Sequence, residues 1–187
     1  MRPVRREELL ELAMYERSRA EIRTAILEAK RRRRVHVAGV LTFLFENTAT
    51  IRYQIQEMMR AEHMAKEEDI RHELETYNEL LGGQGELGVS LLIEIPEPEQ
   101  RDAKLRAWTA LPSHLYLELP GGERIRPRFD PRQVGDDRLS SVQYLKFDVR
   151  GTPPVAVGVD LPGLEGRTEL DAEQRDALAQ DLAQEPG

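Results

Sequence analysis

Cysteine is absent from the 187 residues. Its absence removes disulfides, thiol nucleophiles, thiolate zinc sites and iron–sulfur clusters held by cysteine. A redox role for such a chain would place the electrons on a partner or on a non-thiolate cofactor. Long apolar runs are also missing. None approaches the roughly 20 residues that span a bilayer, so no membrane partner is expected. The opening MRPVRREELLELAMYE has arginines but no apolar core of a secretory signal, which points to the cytoplasm.

Several chemical signatures are missing as well. The glycine-rich stretch LGGQGELG (81–88) runs into a strand pattern, whereas a P-loop or dinucleotide-binding turn opens a helix. No Gly-x-Ser-x-Gly elbow occurs, and Ser113-His114 does not replace one, because adjacency in sequence does not build a triad. No Glu-x-x-His occurs, the motif that carboxylate-bridged di-iron bundles require.

What is present is charge. Charged residues make up 33% of the chain against 40% hydrophobic, with a net charge of −7, which describes a globular protein with a heavily charged surface. The charge is uneven: residues 1–34 carry 11 Lys/Arg against 6 Asp/Glu, and residues 151–187 carry 2 against 8. This layout is compatible with self-association into a homo-oligomer, with docking to an acidic partner, or with solubility alone. The run Lys30–Arg34 lacks interleaved aromatics in a chain that is acidic overall. Helix capping and ion pairing are therefore expected there rather than nucleic-acid binding.

Apolar periodicity predicts a short helix over 6–18, with Leu9, Leu10 and Leu12 near one face. A second helix, 18–34, carries Ile22, Ile26 and Ala29 and ends in cations that suit its dipole. VHV (35–37) and VLTFLF (40–45) read as strands joined by a turn at Ala38-Gly39. Asn47 or Thr48 caps a helix running to about His63. After a break at 64–66, a helix over 66–81 with Ile70, Leu74, Tyr77 and Leu81 on one stripe completes a helical hairpin.

From Glu86 onward, strands are expected at 86–95, 114–119, 124–129, 140–149 and 154–161, with a proline-opened helix at 97–111 and a polar helix at 169–184. The expected fold class is α+β: N-terminal helices and a helical hairpin packed on a largely antiparallel sheet, with a C-terminal helix. One domain over 1–187 follows, with a helical part (1–34), a core (35–165) and a C-terminal helix and tail (166–187).

On a helical wheel through 51–63, Ile51, Ile55, Met58 and Met59 form the apolar stripe, while Arg52, Tyr53, Gln56, Arg60 and His63 fall opposite. Glu62 projects between Ile51 and Ile55. A carboxylate there must be paired, protonated, metal-bound or close enough to the helix end to reach water. One candidate polar or metal site therefore gathers Glu57, Glu62, His63 and Glu73 beside Arg52 and Arg60. A variant draws Glu68 and His72 together with Glu62 and His63 at the hairpin bend. Against both stands a solvated charged face.

A second constellation lies in 124–147. Arg124, Arg126 and Arg128 alternate and share a face if the segment is a strand, and Arg132, Asp136, Asp137 and Arg138 can close an ion-pair network. It reads either as a salt-bridged hairpin or as an anion site of Arg124, Arg126, Arg128 and Arg132, because guanidinium groups grip carboxylates bidentately.

The runs Glu46-Asn47, Arg52 to Met58, Glu62, Glu75 to Leu80, Gly85 to Leu87, Arg128 to Gln133 and Ser140 to Tyr144 resemble a bacterial family of unknown function, over roughly residues 8–182. The resemblance implies context rather than chemistry: such proteins are often encoded beside a rubrerythrin-like protein and an iron–sulfur oxidoreductase. A non-catalytic accessory or assembly protein for a redox or peroxide-handling system is the first expectation. A small metal- or ligand-binding enzyme is the second, its cofactor unspecified.

Overall fold

The computed structural model describes residues 1–135 and 137–184. The fold is α+β, with helices early, two antiparallel sheets and a C-terminal helix. The N-terminal region departs from the expected pair of helices. A 3₁₀ turn at Arg6–Glu8 is followed by one 20-residue helix, α1 (Leu12–Arg31). Nothing at Arg17-Ser18 breaks it, because the Ser18 hydroxyl turns back onto the Met14 carbonyl (3.0 Å) instead of capping a new helix.

The break comes earlier, at Leu10, and Gln56 enforces it. The Gln56 amide accepts from the Leu10 N–H (2.5 Å) and donates to the Leu10 carbonyl (3.2 Å), satisfying both main-chain groups outside any helix. Gln56 is buried as a result, contrary to its place on the polar arc of the wheel.

Strands β1 (Arg34–Val37) and β2 (Leu41–Glu46) pair across the expected turn, where Ala38 and Gly39 both adopt positive φ (51° and 72°). Asn47 caps helix α2 (Thr48–Ala61). Its side chain accepts from the Thr50 N–H, and the Thr50 hydroxyl accepts from the Asn47 N–H, each at 2.9 Å. Helix α3 (Glu67–Asn78) follows and buries Ile70 and Leu74 as its pattern requires.

Strand β3 (Glu86–Ile93) then crosses the core. The Leu80 carbonyl, just past α3, stands 2.0 Å from where a Cβ on Gly88 would be, so only glycine lets the hairpin settle on this strand. Helix α4 (Pro98–Ala107) and the single turn α5 (Leu111–His114) lead to β4 (Leu115–Glu118).

The expected strand at 124–129 survives as only two residues, β5 (Arg124–Ile125). Pro127 offers no N–H to a ladder, and the chain then crosses to the other sheet, where Arg128 bridges Lys146. Strands β6 (Val142–Asp148) and β7 (Ala156–Leu161) lie as expected. An additional strand, β8 (Leu164–Glu169), occupies residues assigned from sequence partly to the C-terminal helix and tail. Only its Leu164 is buried, so the apolar alternation that marks a strand is absent. Helix α6 (Ala172–Leu182) ends the described chain.

The strand orders are β1-β2-β3-β6 and β5-β4-β7-β8. Leu41, Phe43, Leu87 and Leu91 of the first sheet join Leu117 and Val157 of the second in one apolar cluster, to which α2 and α3 add Ile51, Ile55 and Ile70. Both outer strands of the first sheet have partners along their free edges. The Thr168 hydroxyl and the Gln174 amide donate to the His36 and Arg34 carbonyls of β1 (2.7 and 3.0 Å). On β6, Arg128 exchanges both main-chain bonds with Lys146 (2.7 and 2.9 Å). Among the described residues no helix is long and apolar enough to cross a membrane.

Candidate functional site

The residues of the hairpin motif divide among separate tasks. Glu57 accepts from the Tyr15 hydroxyl (2.6 Å) and, bidentately, from Arg19 (2.8 Å twice). The Arg19 guanidinium, assisted by the Tyr15 hydroxyl, holds the Glu57 carboxyl at about 2 against the opposing effect of burial. Burial and the Glu57 charge push the Tyr15 phenol up. Arg60 approaches Glu16 and Glu57 only at 3.7 and 3.9 Å, and Arg52 approaches Glu8 at 3.9 Å. This cluster joins α1 to α2.

Glu62 and His63 belong to the end of α2. The Met64 N–H donates to the Met59 carbonyl (2.9 Å) and the His63 N–H to that of Arg60 (3.3 Å), the paired bonds of a Schellman cap. His63 takes the left-handed position usual for glycine (φ 50°), and Met64 folds into the core with Met59. Glu62 is the C-cap and lies in solvent, because the helix stops before the wheel can carry it onto the apolar stripe. It shares an open depression of about 410 Å³ with His63, His72 and Glu73. Among the described residues no group of three or more His, Asp or Glu is placed to hold a metal ion.

Of the four arginines proposed as an anion site, only Arg124 and Arg126 converge, and they do so on a carboxylate of the chain itself. Arg126 grips Asp160 (2.6 and 3.1 Å), with Arg124 at 3.6 Å and His114 at 3.1 Å from the same carboxylate. Arg126 and His114 pull that carboxyl down. Arg124 also stacks on Tyr116 at 4.2 Å, and that ring lies over Gly158, where a Cβ would come within 2.3 Å. Arg128 pairs with Glu86, and Arg132 holds Asp130 (2.5 and 2.8 Å). Asp137 pairs with Arg106 and Arg138 with Asp102 (2.8 Å), so the network draws on α4; Asp136 lies outside the described residues.

Three residues of the basic run, Lys30, Arg31 and Arg33, are engaged. Arg31 pairs with Glu28 and Glu173 (2.9 and 2.7 Å), Arg33 is buried against Asp181, and Lys30 stands 5.5 Å from the Tyr53 ring centre.

A cleft that the hairpin site does not touch, and to which the second constellation contributes Arg128, lies between α3, residues 128–133 and β6. It encloses about 470 Å³ and is lined by Thr76, Glu79, Leu80, Phe129, Gln133 and Tyr144, with Arg128, Asp130, Leu145 and Lys146. That volume falls within the range of ligand-sized sites. Tyr144, midway along the outer strand β6, is 40% exposed; burial of its phenol, with Tyr77 and Glu46 nearby, raises its pKa.

The Gln133 side chain lies along the strand edge, accepting from the Tyr144 N–H (2.6 Å) and donating to its carbonyl (3.1 Å), as a neighbouring strand would. Behind the cleft the buried Glu46 carboxylate accepts from the Thr50 and Ser90 hydroxyls (2.5 and 2.6 Å). Two signals in sequence touched it: Arg128 belongs to the arginine constellation, and Thr76, Glu79, Arg128, Gln133 and Tyr144 all fall within the runs that carry the family resemblance.

A crystal structure described as a "novel protein of unknown function" from Burkholderia pseudomallei K96243 matches with a TM-score of 0.87 and 28% identity. The match covers 96% of this chain and 98% of that one. No match is found among curated proteins. Residues 3–182 match the model of the family described as "Protein of unknown function (DUF3501)", and the chain belongs to that family.

Proposed function

We propose that the protein is a non-catalytic accessory or assembly protein for a cytoplasmic redox or peroxide-handling system, and that it receives its partner in the cleft between α3 and β6. The observation that carries this reading is convergence. Three of the seven runs that carry the family resemblance, 75–80, 128–133 and 140–144, lie far apart in sequence and each contribute to the lining of this cleft. An exposed tyrosine set on an apolar floor suits recognition of a protein surface.

The competing reading is an enzyme built on Arg52, Glu57, Arg60, Glu62, His63 and Glu73. It needs those groups to face one another, whereas Glu57 is committed to Tyr15 and Arg19 and Glu62 caps a helix.

Affinity purification from the native host at low salt, with the wild type beside Tyr144→Ala, tests the proposal. The expected result is recovery of a rubrerythrin-like or iron–sulfur protein by the wild type, reduced at least fivefold by the substitution. Recovery of neither protein, or equal recovery by both baits, overturns it.

A further inference from the structure

Resting on that reading of the cleft, we propose that its occupant is an acidic segment of the partner chain, laying a carboxylate against Lys146 and Arg128 and an apolar side chain on Tyr144. Arg128 and Lys146 are direct partners in an antiparallel bridge, so their side chains leave the sheet on the same face. Like charges in that relation are destabilising. Glu86 offsets one of them by pairing with Arg128. Among the described residues no carboxylate lies within ion-pair distance of Lys146, although its side chain lines the cleft.

The two acids that share the lining do not fill this role. Asp130 is held by the Arg132 guanidinium and main-chain N–H (2.5 and 2.9 Å), and Glu79, just past the end of α3, is not within ion-pair distance of Lys146. The site therefore presents two adjacent cations, one of them unpaired, with an apolar floor beside them. Tyr144 stands two residues from Lys146 on the same strand face and contributes its exposed ring, beside Phe129 and Leu80. A free phosphate or acetate would use the cations and leave the floor bare. A segment in which acidic and apolar residues alternate uses both.

Titration with acetyl-Glu-Leu-Glu-Leu-amide, its glutamine counterpart and its lysine counterpart, followed by calorimetry and by chemical shifts of β6, tests the inference. The acidic peptide is expected to bind at least fivefold more tightly than the glutamine peptide at low salt, with the gap closing as salt rises. In Lys146→Glu the order reverses in favour of the lysine peptide, and in Lys146→Gln the preference disappears; circular dichroism checks that both variants fold.

Equal affinity for the acidic and glutamine peptides, no binding by any peptide, or an unchanged preference in Lys146→Glu overturns the proposal. Partner recovery that fails with Tyr144→Ala but survives Lys146→Glu overturns the acidic occupant while leaving the docking cleft in place.

Discussion

Arg33 and Asp181 form a bidentate ion pair (2.7 and 2.9 Å) sealed from solvent and separated by 148 positions in sequence. The remaining polar groups are satisfied as well: Arg33 donates to the Ala29 carbonyl (3.0 Å) and Asn47 donates to Asp181 (3.1 Å). One carboxylate thus ties α6 to the end of α1 and to the cap of α2. Asp181→Asn leaves the guanidinium buried without its counter-charge and is expected to cost about 3 kcal/mol. The double variant Arg33→Met/Asp181→Leu is expected to lose less than the single substitution. Urea denaturation of both variants measures the difference.

His63→Gly is expected to stabilise the protein by about 0.5–1 kcal/mol, because glycine adopts the left-handed cap position without the steric cost a side chain bears. A rise in melting temperature checks it. A ligand role for His63 would give no such gain.

Glu57 supplies a pH-dependent term. Its carboxyl sits at about 2 when folded, below the ordinary 4.5. A lowered carboxyl pKa contributes stability that is complete above the ordinary value and is lost as pH falls towards the folded one. Wild type is therefore expected to exceed Glu57→Gln by on the order of 2 kcal/mol at neutral pH, with the gap shrinking below about pH 4.5 and vanishing near 2. Denaturant midpoints of both proteins from pH 7 to 2 trace the curve.

The α+β class, the turn at Ala38-Gly39, the Asn47 cap and the amphipathic α3 were legible because each depends on residues within one turn or one strand. Gln56 was not, since the main chain that buries it belongs to Leu10, 46 positions away. For Glu62 the sequence left several environments open, and the structure shows the one in water at the helix end; the wheel alone could not choose it, because the cap here uses histidine in place of the glycine that would have marked the terminus. Strand β8 carries its information in main-chain pairing with β7 rather than in side-chain alternation. The cleft was illegible as a site because three separate segments supply its walls, and only Arg128 among its lining had been singled out.

The joins at β1 and β6 are shorter than the ladders inside each sheet and draw on side chains. They are latches, made by Thr168 and Gln174 on one side and by Arg128 and Gln133 on the other. A strand margin bared at a latch is a template for another chain. Damage at a latch would thus show itself as self-assembly of an otherwise folded protein, a failure that a melting curve does not register.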